Sequence, residues 1–191
     1  MSETQLILIV DDIPENIHFL YGVLKEHYKL KVASDGEKAL KIAQGKSKPD
    51  LILLDIMMPG MDGYEVCSRL KVDKNTRDIP IIFVTAKNTS ADEAEGLSLG
   101  AVDYITKPVK ADITLARIRT QLELSRIQKQ LVNYNQQLIE TAKLKADVEH
   151  ITNHDMKSPI NGIIGFTELL LTSQSLSSDD RELTNFIKSL A

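Results

Sequence analysis

The sequence predicts an α/β protein: a doubly wound, five-stranded parallel sheet, then a long helix and a partial helical hairpin. Three observations carry this. Short apolar runs alternate with amphipathic stretches as far as Pro108, and such alternation implies crossover connections and a parallel sheet. Several runs are apolar throughout, as strands buried on both faces must be. Beyond Pro108 the chain turns into a long series of helix formers.

The strands are read at Leu6–Val10, Leu30–Ala33, Leu51–Leu54, Ile81–Val84 and Val102–Ile105. Helical patterns fall between them at Glu15–Glu26, Glu37–Gln44, Tyr64–Leu70 and Ala91–Leu99. Asp35-Gly36, Pro59-Gly60, Asp62-Gly63 and Lys107-Pro108 supply turns at the element ends. The strand order 2-1-3-4-5 is adopted as one of the two common doubly wound orders.

From Asp112 to Thr172 there is one proline, Pro159, and two glycines, Gly162 and Gly165. Roughly 60 helical residues would extend about 90 Å, more than a small domain can cover. Leu124, Ile127, Leu131, Tyr134 and Leu138 recur at spacings of 3 and 4, a seam that calls for a partner helix. The same helix of a second copy is the simplest partner, so a homodimer is expected. The seam is disturbed near Thr141–Lys145 and resumes at Leu144, Val148 and Ile151. Ile160, Ile163, Ile164, Thr167, Leu170 and Leu171 form another apolar stripe. After the polar break Ser173–Ser178, Asp179 and Glu182 have the spacing of a capping box. The chain reads as cut short within that last helix. The expected divisions are a globular domain at 4–125, a coiled-coil helix at 112–150 and a partial helical dimerisation domain at 144–191.

The chain carries 42% hydrophobic and 26% charged residues with a net charge of −4. No lysine/arginine block points to nucleic acid or anionic lipid. The longest apolar runs are too short to cross a bilayer. There is no signal-peptide pattern at the N-terminus, and the single cysteine, Cys67, excludes an internal disulfide. A cytoplasmic protein is expected, with no nucleic-acid partner and no membrane association. Cys67 is expected to pack in the third helix.

Asp11 and Asp12 follow the first strand and Asp55 follows the third. Ligands of open parallel sheets bind beyond the carboxyl ends of the strands, where the strand order reverses. Three carboxylates gathered there would repel one another, and a hard divalent cation with oxygen ligands, Mg²⁺, relieves this. Thr85 and Lys107 end later strands on the same rim. A hydroxyl and an ammonium beside a metal-bound carboxylate can hold a phosphoryl group as charge shifts onto its oxygens, with Asp55 as nucleophile. Each residue alone is an ordinary turn or surface residue; their placement at one rim is what points to a site.

Asp11-Asp12, Asp55-Ile-Met-Met-Pro59-Gly-Met-Asp-Gly63, Thr85-Ala86 and Tyr104-Ile-Thr-Lys107-Pro108 resemble a two-component response-regulator receiver domain of the flavodoxin-like fold. The resemblance implies that Asp55 accepts phosphate from a phosphohistidine. It also implies that Asp12, Asp55 and the backbone carbonyl of Met57 hold Mg²⁺, with Asp11 acting largely through water. Thr85 and Tyr104 are then a switch pair, the Lys107–Pro108 peptide is cis, and the small Ala86 leaves the phosphoryl group accessible.

His150 and His154 lie four residues apart on the long helix; without a third ligand nearby they make a weak metal pair. His154-Asp155-Met156-Lys157-Ser158-Pro159-Ile160-Asn161-Gly162-Ile163-Ile164-Gly165-Phe166 resembles the H box of sensor histidine kinases. The resemblance implies that His154 carries a phosphoryl group, that Asp155 helps take up its proton, and that the isoleucines face a dimeric bundle. Pro159 is expected to bend the helix. No ATP-binding motif follows: there is no glycine after Gly165, so ATP would enter only through a kinase domain absent from this chain, which is not expected to phosphorylate itself.

The sequence thus reads as a phosphorelay protein in which a receiver regulates an attached histidine kinase. Its expected partners are a cognate kinase or phosphotransfer protein and a downstream response regulator. A non-enzymatic dimerising switch with an inactive His154 is the alternative. A Mg²⁺-dependent aspartyl phosphatase fits poorly, because Ile13 stands where such enzymes usually place their second aspartate.

Overall fold

The computed structural model describes residues 4–86, 96–172 and 177–190, with the backbone alone at 149–156, 158 and 190. The chain divides into two compact units, 1–129 and 130–191. In the first, β1 (Leu6–Val10), β2 (Lys29–Ala33), β3 (Leu51–Asp55), β4 (Ile81–Thr85) and β5 (Asp103–Thr106) form one sheet. Its order is β2-β1-β3-β4-β5, and every pairing is parallel. Helices α1 (Pro14–Leu24), α2 (Gly36–Ala43) and α3 (Gly63–Val72) connect the strands. A long helix then runs over Ala111–Thr172, and a terminal helix spans Ser178–Leu190.

The apolar strands divide by alternation, since successive side chains point to opposite faces. Leu8, Val10, Ile52, Leu54, Ile81 and Phe83 pack with α2 and α3 through Ala39, Ala43, Val66 and Leu70. Ile7, Ile9, Leu51, Leu53, Ile82 and Val84 pack with Leu20 and Leu24 of α1 and with Ile118 and Leu122 of the long helix. A sheet covered on both sides needs apolar residues at every central-strand position, which is why β1, β3 and β4 show no polar alternation. Cys67 lies in the first of these cores, its thiol pKa raised by burial.

Element ends differ from the expected ones by one or two residues. β3 and β4 extend to Asp55 and Thr85, so both site residues are held by the sheet ladder. β5 begins one residue later than its apolar run. Val102 is exposed, whereas Asp103 pairs opposite Ile82 and is ion-paired with Arg117. Helix α1 stops at Leu24, whose carbonyl accepts from the amides of His27 and Tyr28. Of the expected helix at Ala91–Leu99, Ala91–Glu95 lies outside the described residues; 96–98 is helical.

The long helix buries Thr114, Ile118 and Leu122, spaced at one turn. The seam residues Leu124, Ile127, Leu131, Tyr134 and Leu138 are exposed. The helix continues through Pro159. In the second unit, Lys188 Nζ lies 2.8 Å from Glu168 Oε1, joining the terminal helix to the end of the long one. The cap of the terminal helix is not at Asp179. Ser177 Oγ accepts from the Asp180 amide at 3.2 Å and donates to the Asp180 carboxylate at 2.6 Å. A serine at the N-cap reaches the amide three residues on more readily than a residue already inside the first turn. No described helix is long and apolar enough to cross a membrane.

Gly63 opens α3 beneath the end of β3, and a Cβ there would lie 2.2 Å from the Asp55 carbonyl oxygen. Because backbone cannot move aside cheaply, Gly63→Ala is expected to destabilise the protein by about 1–3 kcal/mol. Denaturant midpoints of wild type and variant check this.

Candidate phosphoacceptor site

The carboxyl ends of β1 and β3 are neighbours in the sheet, so Asp11, Asp12 and Asp55 emerge side by side. One oxygen of each lies within 4.8 Å of the others. Asp11 and Asp55 are 1% and 2% exposed. Lys107, which follows β5, reaches across the end of β4. Its Nζ lies 2.9 Å from Asp11 Oδ2 and 3.0 Å from Asp55 Oδ2.

Asp11 has both oxygens engaged. Oδ1 accepts from the Ile13 amide and from Asn16 Nδ2, each at 2.9 Å, and Oδ2 accepts from Lys107. Asp12 Oδ1, in contrast, is buried and has no hydrogen-bond partner among the described residues. A buried, unpartnered carboxylate oxygen is costly, and here it adjoins two further acids. This all-oxygen set fits a hard divalent cation, with Asp12 Oδ1 as the open donor and Asp11 and Asp55 both engaged by Lys107.

Burial raises the Asp55 pKa above the usual carboxylate value, and the charge of Asp11 raises it further. Lys107 and the Met57 amide pull the other way without cancelling the shift. For Lys107, burial favours the neutral amine, yet hydrogen bonds and attraction from Asp11 and Asp55 outweigh it and raise its pKa. The ammonium is therefore held charged while Asp55 remains costly to ionise.

Thr85 is buried at the end of β4, and its carbonyl accepts from the Lys107 amide at 2.7 Å. Tyr104 is half-buried on β5, with the Arg117 guanidinium 5.6 Å from its ring centroid. The Lys107–Pro108 peptide is cis. Met57 has an exposed side chain, and its amide bonds to Asp55. His154 and Asp155 lie on the long helix, their side chains outside the described residues. Two residues escaped the sequence reading. Asn16 fixes Asp11 from the first turn of α1, a position legible only once that helix is known to start at Pro14. Arg117, bound to Asp103 and lying over Tyr104, has no local signal because the pairing spans 14 residues.

An acid whose folded pKa is raised loses folding stability as pH climbs from its unfolded to its folded pKa. Without divalent cation, Asp55→Asn is therefore expected to melt above wild type at pH 7. The gap should narrow as pH is lowered towards the ordinary carboxylate value, while Mg²⁺ should raise the wild-type midpoint more than that of the variant. Thermal melts across pH, with and without Mg²⁺, measure both effects.

The family described as response regulator receiver domain matches residues 7–119. A probable cyclic di-GMP phosphodiesterase of Vibrio cholerae is 44% identical over 143 residues, 75% of this chain and 32% of that protein. The response regulator PleD of Caulobacter vibrioides is 46% identical over 115 residues, 60% of this chain and 25% of PleD. The chain thus spans a quarter to a third of these two relatives. Among solved structures, the receiver domain of the Pseudomonas aeruginosa sensor histidine kinase PA1611, described with magnesium coordinated in its active-site cleft, aligns with a TM-score of 0.59. It shares 30% identity over 63% of this chain and 99% of that one. With the sheet order, the acidic rim and the lysine across it in place, the chain belongs to the response regulator receiver domain family.

Proposed function

We propose that the receiver takes a phosphoryl group onto Asp55 from the phosphohistidine of a cognate kinase or phosphotransfer protein, and that this regulates an attached histidine kinase phosphorylated on His154. The observation that carries the reading is Lys107 bridging Asp11 and Asp55 beside the unpartnered oxygen of Asp12. Asp12, Asp55 and the Met57 carbonyl would hold Mg²⁺, which when bound supplies positive charge to the phosphoryl oxygens and offsets the repulsion among the acids.

In the transfer, an Asp55 carboxylate oxygen forms a bond to phosphorus as the phosphorus–nitrogen bond of the donor breaks. The donor imidazole keeps that electron pair and takes up a proton. Asp55 is already held in place by Lys107 and the Met57 amide, so little reorganisation is needed. Lys107 stays protonated throughout and faces the negative charge arriving on the phosphoryl oxygens. Thr85, on the neighbouring strand end, offers a hydroxyl to the acyl phosphate, and Tyr104 follows it inward.

The apolar seam of the long helix is read as the contact with a second copy. His154 is read as the kinase phosphoacceptor, with Asp155 orienting the imidazole. The downstream partner is then a response regulator that receives phosphate from this relay. The dimerising switch without an active His154 stays as a second reading, because the alignment with the Vibrio cholerae relative runs over 143 residues, further than the receiver match at 7–119. A receiver followed by additional shared chain suits other outputs as well.

Acetyl phosphate with Mg²⁺ is expected to label wild type with an acid-stable, base-labile phosphate, and Asp55→Asn to take up none. Label on the variant, or none on wild type, would remove the phosphoacceptor role. Incubation with ATP and the completed kinase is expected to give an acid-labile, base-stable phosphate lost in His154→Gln; its absence selects the dimerising switch. Four glycines inserted at Asn133 should uncouple the kinase from Asp55 phosphorylation, and unchanged regulation would argue against a signal carried by the helix.

A further inference from the structure

At the amino ends of the strands, opposite the acidic rim, lies a cleft of about 710 Å³. This is within the range of small-molecule sites. Four lysines line it, Lys25, Lys29, Lys31 and Lys48, with Tyr21 and Tyr28. The chain has an excess of acids, yet Asp50 is the one acidic residue in the lining, and it accepts from the Leu6 amide at 2.8 Å. Lys31 Nζ donates to the Ser47 carbonyl at 3.0 Å and Lys48 Nζ to the Asn75 carbonyl at 2.9 Å. Neutral carbonyls position these ammoniums, and Lys48 also lies in the field of the Asp73 carboxylate. Among the described residues, Lys25 and Lys29 form no ion pair.

Lysines on an edge strand also discourage pairing with another sheet, which accounts for Lys29 and Lys31. It does not account for Lys25, just past α1, or Lys48, in the loop before β3. Residues from separate segments bring positive charge to one concavity, and Tyr21 and Tyr28 also line it, Tyr28 with part of its ring packed against the second core. Compact ammonium groups suit phosphate oxygens, and aromatic faces suit a planar base.

We infer that this cleft binds a nucleoside polyphosphate, its phosphates on Lys25, Lys29, Lys31 and Lys48 and its base against Tyr21 and Tyr28. Ligand here would not touch Asp55. Five strand residues at about 3.3 Å each separate the two rims by about 17 Å. The inference therefore stands apart from the phosphoacceptor reading.

Titration calorimetry of the full chain in EDTA, with ADP and with inorganic pyrophosphate, tests it. ADP is expected to bind more tightly than pyrophosphate. Lys25→Gln/Lys29→Gln should weaken both by about tenfold or more, and Tyr28→Leu should weaken ADP alone. Amide resonances of Tyr21, Tyr28 and Lys29 should shift with ADP in the wild-type protein, a readout independent of how the variants fold. No binding at millimolar ADP, pyrophosphate binding as tightly as ADP, or shifts confined to Asp11, Asp12 and Asp55 would each overturn the inference. Unchanged acetyl phosphate labelling of Asp55 in the lysine variant would confirm that the two sites are separate.

Discussion

The receiver unit depends on one ammonium group shared by two buried carboxylates. Two like charges about 4 Å apart repel by roughly 4 kcal/mol at the effective dielectric of a protein surface, and burial adds to the cost. Lys107 offsets much of this by lying within 3.0 Å of both Asp11 and Asp55. It can do so only because β1 and β3 are adjacent and β5 is two strands beyond β3, so that its four-carbon stem passes over the end of β4. The strand order is therefore part of the site's electrostatics. One lysine against three acids still leaves an excess of two negative charges, the deficit a divalent cation makes up.

Periodicity recorded the sheet well because each central strand must satisfy two apolar faces at once, and runs such as Leu6–Val10 and Leu51–Leu54 have no other economical use. Strand ends were less legible. Asp103 and Asp55 are polar, and only pairing with a neighbour reveals them as strand residues. The acids could be located because they directly follow apolar runs. Lys107 and Thr85 could be placed on the same rim only through the assumed strand order and the family resemblance, since the Lys107–Asp11 contact spans 96 residues. The contacts of Arg117 with Asp103 and Tyr104 were invisible for the same reason. The terminal helix cap failed differently: Ser177 and Asp179 are both good capping residues two positions apart, and local sequence does not rank them.

The long helix meets two demands in succession. Thr114, Ile118 and Leu122 recur every fourth residue and close the second core of the sheet. From Leu124 the apolar positions still recur at spacings of 3 and 4 but are exposed, Leu131 by 58%. The change from buried to exposed apolar positions marks where the helix ceases to pack on the sheet. Buried Thr114 Oγ1 has no hydrogen-bond partner among the described residues.

A parallel sheet separates charge in a way an antiparallel one does not. All its strands point the same way, so loops after them gather at one rim and loops before them at the other. Here the first rim holds Asp11, Asp12 and Asp55, while the second holds Lys25, Lys29 and Lys48. β1 joins the two. Asp50 accepts from its first amide at Leu6, and Asp11 follows its last residue. Since β1 is hydrogen-bonded on both sides, neither end can shift along the strand axis without breaking a ladder. In the proposed transfer, negative charge arriving at Asp55 would therefore act across the rim, where Thr85 and Tyr104 lie on the neighbouring strands. A ligand at the basic rim would meet the same rigid β1 from its other end. Coupling between the rims would have to pass around the sheet, by way of α1, rather than through it.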